Sequence, residues 1–236
     1  MRAVILAGGK GTRLRPYTVT FPKPLVPLGG EMPVLEIIIR QIGRQGVRHV
    51  TLAVNHLANL IQAFFQDGSK WGLRIDYSLE EKPLGTIGPL TLLPDLPENF
   101  LVMNGDVLCD LDFAAFYRAH CEAGNDVTVS VCQREQFVNF GVLEYDRAGQ
   151  ITRFVEKPSY AFHVSMGVYC LNRRVIQRLN PGEPYGFDQL MLDGIRNGLK
   201  LSARPFDGYW LDIGRPEDYE TANGNFAEIK TRLGVT

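Results

Sequence analysis

The 236-residue chain has few cysteines: Cys109, Cys121, Cys132 and Cys170 are the only four. None forms a C-x-x-C pair and no histidine lies at metal-ligand spacing from them, so neither a zinc site nor a disulfide framework is expected. Each reads as a small buried or near-surface side chain. Long apolar runs are also missing. The first, Ala3 to Ala7, is too short for a signal peptide, and no stretch approaches the roughly 20 apolar residues of a membrane span. A cytoplasmic protein with no membrane partner is the expectation. Excess charge is absent too: the formal net charge is -1, which argues against a broad nucleic-acid surface. Hydrophobic residues at 45% and charged residues at 22% support a sizeable core and no global disorder.

One local absence is more informative. Residues 1–30 contain no Asp or Glu, yet they hold Arg2, Lys10, Arg13, Arg15 and Lys23. Four of these cations fall in the segment AGGKGTRLRPYTVTFPKPLVP, residues 7–27. The apolar run before it, 2–7, reads as a buried strand closed by Gly8 and Gly9. Glycines in that position let backbone N–H groups approach an anion closely. With so many local cations, the segment points to a polyphosphate ligand. Two familiar motifs do not fit. Gly9-x-Gly11 followed by Leu14 lacks the third glycine of the dinucleotide fingerprint, and Lys10 precedes Gly11 rather than Ser or Thr as a P-loop requires.

Periodicity predicts a helix over 34–45, a strand over 47–54, a helix over 57–65, a strand over 73–79, a short helix over 86–93 and a strand over 100–104. Alternating strands and helices predict an α/β fold with a mostly parallel sheet flanked by helices. Ligands of such sheets bind beyond the carboxyl ends of the strands, where Gly8-Gly9 and Gly105-Asp106 both fall. Strands over 127–132, 141–145, 151–156 and 164–171 extend the sheet and add a small antiparallel lobe. A closing helix is expected over 216–229, with Pro216 near its first turn.

The full string from Gly8 to Pro27, together with PLGTIGPL (83–90), NGD (104–106), FVEKP (154–158) and YWLDIGRPEDY (209–219), resembles the sugar-1-phosphate nucleotidylyltransferases. The mannose-1-phosphate guanylyltransferase-like branch is the most similar. The resemblance covers residues 1 to about 225. It implies one Rossmann-like domain, with a nucleotide-binding half at 1–110 and a sugar-binding half at 111–236. Many members of the family carry a C-terminal β-helix; with so little chain after the last helix signal, none is expected here. It implies that Leu6, Ala7, Gly8, Gly9, Gly11 and Thr12 cradle the nucleotide, joined by Pro83, Gly85, Thr86, Asn104 and Gly105. Arg13, Lys23 and Asp106 would be catalytic. Asp106 and Asp212 would hold Mg²⁺. Gly141, Glu156, Lys157, Ser165 and Gly167 would bind the sugar phosphate, and a homodimer is a family-level expectation.

The chemistry agrees with these residue types. A phosphate oxygen attacks the α-phosphorus in line and pyrophosphate leaves, so two anions must be brought together by positioning and positive charge. Mg²⁺ favours one or two carboxylates with phosphate oxygens and water. The resemblance implies that Glu80, five residues before Gly85, holds the position of a base-reading side chain. Guanine offers N1–H and N2–H₂ to one carboxylate, adenine has an acceptor at N1, and uracil and thymine offer a single N–H. GTP is therefore favoured, with Glu81 a rival for the same role. The alternatives are dTTP or UTP with glucose 1-phosphate, or a non-catalytic regulatory subunit. Mannose, glucosamine, glucose and heptose 1-phosphates stay open. Met166 and Phe140 are more naturally core than pocket, and His163 is structural or at the surface.

Overall fold

A computed structural model describes residues 1–235. The first half contains β1 (Arg2–Leu6), β2 (Pro27–Leu28), β3 (Met32–Pro33), α1 (Val34–Arg44), β4 (His49–Val54), α2 (Ala58–Phe65), β5 (Arg74–Leu79), β6 (Asn99–Asn104) and β7 (Val107–Cys109). The second contains α3 (Phe113–Ala123), β8 (Val127–Phe137), β9 (Val142–Tyr145), β10 (Ile151–Val155), β11 (Ser159–Asn172), α4 (Arg173–Ile176), α5 (Phe187–Arg196), β12 (Leu201–Pro205), β13 (Trp210–Asp212), α6 (Pro216–Gly224) and α7 (Phe226–Arg232).

Seven strands form one sheet in the order β12-β8-β11-β6-β1-β4-β5. β1 pairs in parallel with β4 and β6, β4 with β5, and β12 with β8, while β11 runs antiparallel to both β6 and β8. β1 is a near-continuous apolar run because both of its faces are covered. Ala3 and Ile5 join a core that includes residues of α1, α2, α3 and α7; Val4 points the other way, into a core with residues of α4 and α5. The expected layering with helices on both faces is therefore present. The β9-β10 pair stands apart as a two-stranded unit. Among the described residues there is no β-helix, and no helix is long and apolar enough to cross a membrane.

Several expectations change in detail. The strands expected at 127–132 and 164–171 run further, to Phe137 and back from Ser159, because they pair with each other beyond the sheet. The closing helix breaks at Asn225, whose backbone (φ -103°, ψ 16°) is not helical, so that Phe226 turns into the core. α3 was not anticipated, although its signals are present. Asp112 accepts from the Ala115 N–H at 2.8 Å as an N-cap, and Gly124 closes it in the left-handed conformation. Met166 is fully buried as expected of core, but Phe140 is 77% exposed. All four cysteines are free, with Cys109, Cys132 and Cys170 buried.

Candidate active site

The carboxyl ends of four adjacent strands build the site. Leu6 pairs with Asn104 across β1 and β6, and the Gly105 N–H donates to the Leu6 carbonyl at 2.9 Å. On the other side, Val54 pairs with Leu79 as the last step of β4 and β5, and the Glu80 N–H donates to the Val54 carbonyl at 2.9 Å. Gly8, Asn55, Glu80 and Asp106 therefore emerge at one edge. They line a cavity of about 660 Å³ with Leu6, Gly9, Lys10, Arg13, Pro83, Leu84, Gly85, Thr86, Pro89 and Asn104. That volume suits a nucleotide-sized ligand.

Most of the expected nucleotide residues thus share one space. Ala7 and Gly105 are buried beside it, and Gly11 and Thr12 lie in the turn that follows. Of the two rival glutamates, Glu81 is exposed and Glu80 is buried. Glu80 Oε2 accepts from the Leu84 N–H at 3.1 Å. Burial pushes its carboxyl above the usual range, and the Leu84 N–H opposes this. A Cβ on Gly8 would lie 2.8 Å from Glu80 Oε1, so any larger residue there would displace the carboxylate or the loop.

Lys23 and the two aspartates form a charged group at the mouth of the edge. Lys23, between Pro22 and Pro24, is ion-paired with Asp106. β13 lies antiparallel to β7, with Asp212 opposite Val107, and the Ile213 N–H donates to the Asp106 carbonyl at 3.0 Å. The Asp212 carboxyl is raised by burial first and by Asp106 second, while Lys23 and Arg13 pull it down. The Asp106 charge beside the buried Asp212 carboxyl makes this a place suited to a cation. Among the described residues no group of three or more His, Cys, Asp or Glu could hold a metal. Two carboxylates alone suit Mg²⁺ completed by phosphate and water oxygens.

None of the expected sugar residues lines this cavity. A Cβ on Gly141 would lie 3.2 Å from Glu156 Oε2, so these two residues are neighbours at the base of the β9-β10 hairpin. Lys157 follows with a left-handed φ of 45°, uncommon for a lysine. Ser165 Oγ accepts from the Gly167 N–H at 3.3 Å and donates to the Tyr169 hydroxyl at 3.4 Å. Gly167 has φ 76°, and a Cβ there would be 2.6 Å from Asn104 Nδ2. The irregularity in β11 between Ser165 and Tyr169 therefore packs against the end of β6 at Asn104, a residue of the cavity lining. His163 is exposed, as expected. A separate cavity of about 490 Å³, whose lining includes Arg134, His163 and Trp210, contains none of the expected site residues.

Sequence reasoning missed Asn55, Leu84 and Pro89 as lining residues and gave Lys10 no place in the site. Asn55 carried a usable signal, since it directly follows the 47–54 strand and must reach the same edge as Gly8. Pro89 and Leu84 enter through the packing of the 83–90 loop, which only the tertiary structure decides.

A mostly parallel sheet, a glycine loop at its carboxyl edge and a nucleotide-sized cavity beside a Lys-Asp-Asp group define an α/β protein suited to a phosphorylated ligand. The chain matches the Nucleotidyl transferase family over residues 2–229. It belongs to that family. It is 36% identical over 231 residues to mannose-1-phosphate guanylyltransferase catalytic subunit beta of Dictyostelium discoideum, covering 95% of this chain and 64% of that protein. It is 37% identical over 229 residues to mannose-1-phosphate guanyltransferase beta-A of Xenopus laevis, covering 94% of this chain and 63% of the relative. The chain thus spans less than two thirds of these curated relatives. Among solved structures, HddC from Yersinia pseudotuberculosis complexed with GMP-PN superposes with a TM-score of 0.73 at 27% identity, covering 95% of this chain and 99% of that one. A putative glucose-1-phosphate thymidylyltransferase from Bacillus anthracis superposes with a TM-score of 0.75 at 22% identity, covering 95% and 94%. At that identity the likeness speaks to the fold alone.

Proposed function

We propose that this protein condenses GTP with a sugar 1-phosphate to give a GDP-sugar and pyrophosphate. The observation that carries the reading is the buried Glu80 carboxylate in the same cavity as the glycine loop and Asp106. A carboxylate can accept both N1–H and N2–H₂ of guanine, and no other common base offers that pair. The curated relatives named as guanylyltransferases support the same choice.

In this reading residues 1–110 bind the nucleotide and residues 111–236 bind the sugar. Gly8, Gly9 and Gly11 present backbone N–H groups to the triphosphate. Arg13 and Lys23 offset the repulsion between the two phosphates as they meet. Asp106 and Asp212 would hold Mg²⁺, which when bound would supply further positive charge at the reacting phosphates. Glu156 takes sugar hydroxyls, Lys157 pairs with the sugar phosphate, and Gly141 and Ser165 line the approach. A phosphate oxygen of the sugar 1-phosphate forms the new bond to the α-phosphorus, and the bond to the bridging α–β oxygen breaks. The electron pair leaves with pyrophosphate. The attacking oxygen is already ionised, so no general base is required.

The test is pyrophosphate release from GTP, ATP, UTP, dTTP and CTP against mannose, glucosamine, glucose and heptose 1-phosphates with Mg²⁺. GTP-dependent release supports the reading. Release with dTTP or UTP in place of GTP overturns the base assignment, and binding of GDP-sugar without turnover favours a regulatory subunit.

A further inference from the structure

Asn55 directly follows β4, outside the set of residues assigned above. Its side-chain nitrogen donates to the Glu80 carbonyl at 2.9 Å, and the Glu80 N–H donates to the Val54 carbonyl at 2.9 Å. These two bonds lace β4 to β5 beyond their last ladder pair, Val54 with Leu79. Gly8 sits against both partners: a Cβ there would lie 3.2 Å from Asn55 Cβ and 2.8 Å from Glu80 Oε1. Asn55 also lines the cavity that Glu80 lines.

We propose that Asn55 is the positioning residue for nucleotide-base selection, its amide fixing the Glu80 main chain so that the carboxylate meets the base in one geometry. The inference rests on the reading of Glu80 as the guanine contact. The physical need is specific. Hydrogen bonds weaken steeply with misalignment, and a carboxylate reading two donors at once must be held in both distance and plane. The Leu84 N–H restrains the carboxylate from the side-chain end at 3.1 Å. Asn55 is the matching restraint at the main-chain end, where residue 80 leaves the sheet and the chain enters the loop toward Pro83. A site held by locked supporting groups of this kind discriminates more sharply than one carried by a free loop.

The experiment is calorimetric titration of GDP, IDP and ADP, each with Mg²⁺, into wild type, Asn55→Ala, Asn55→Leu and Glu80→Gln. IDP retains N1–H but lacks the 2-amino group. Leucine keeps the branched outline of four side-chain heavy atoms against Gly8 and removes the donor, which separates the hydrogen bond from the loss of packing in alanine. The ratio of GDP to IDP affinity should fall about fivefold to tenfold in both Asn55 variants, the worth of one hydrogen bond, with ADP affinity little changed. An unchanged ratio in the Asn55 variants, while Glu80→Gln abolishes the preference, overturns the inference and leaves the Glu80 reading intact. Equal weakening of all three nucleotides shows a merely structural role and also overturns it. An unchanged ratio in Glu80→Gln removes the Glu80 reading, and the inference with it.

Discussion

Glu80→Gln is the perturbation that bears hardest on the proposed function. Glu80 has two oxygens at the cavity edge, one already shared with the Leu84 N–H. Glutamine keeps one acceptor and replaces the other with an NH₂ donor that would face a guanine donor. Losing one charge-assisted hydrogen bond costs about 1.5–3 kcal/mol, so kcat/KM for GTP should fall on the order of 10²-fold while that for ATP falls far less. The assay is coupled pyrophosphate release with the best sugar 1-phosphate. A pH series adds an independent check. The native Glu80 carboxyl is raised by burial, so it takes up a proton above the ordinary carboxylate range. GTP selectivity should therefore decay on the acid side of neutrality in the wild type, and the GTP/ATP ratio in Glu80→Gln should be flat there. Stability has the opposite sign. A carboxyl whose native value is raised is harder to ionise in the fold, so stability falls as pH climbs from the unfolded value through the native one. Glu80→Gln should accordingly melt higher than wild type at pH 7, with the gain vanishing near pH 4. A variant with an unaltered GTP/ATP ratio refutes the argument that Glu80 reads the base.

Four further outcomes are expected. Asp106→Ala should lower Mg²⁺-dependent turnover by about 10³-fold or more, and near wild-type turnover in single-turnover kinetics would sink its assignment. Gly167→Ala should lower the melting temperature and turnover together, because φ 76° strains any side chain and the new methyl would sit 2.6 Å from Asn104 Nδ2. Gly141→Ala should raise KM for the sugar 1-phosphate with little change in KM for GTP, since its neighbours are Phe154 and Glu156; an effect on GTP alone contradicts the placement. His120 is buried against Thr128 and Asn99, and burial, helped by Arg174, pushes it down to about 4. Stability should then fall as pH drops from about 6.5 toward 4, while the unfolded chain takes up a proton that the native imidazole refuses; denaturant unfolding across that range checks it, and a flat profile counts against a neutral buried His120.

The local character of the site was written in the sequence. The acid-free first thirty residues, the glycines after an apolar run and the turn at Gly105-Asp106 are all short-range patterns, set by backbone geometry and local charge. Alternation of periods 2 and 3.6 likewise placed β1, α1, β4, α2, β5 and β6 to within a few residues. Other features depended on partners far apart in the chain. Lys23 and Asp106 meet only because β6 lies beside β1, and Asp212 reaches them only because β13 folds back on β7. Which of Glu80 and Glu81 faces the cavity was decided by the parallel register of β4 and β5, since a one-residue slip reverses every side chain. Asn55 gains its place through the same register. The lengths of β8 and β11 and the break at Asn225 were set by pairing and burial beyond the reach of local pattern. Sequence determined which residue types were available and the local conformations they favour. Long-range strand pairing decided which of them share one space, because contacts between residues distant in sequence exist only once the sheet has formed.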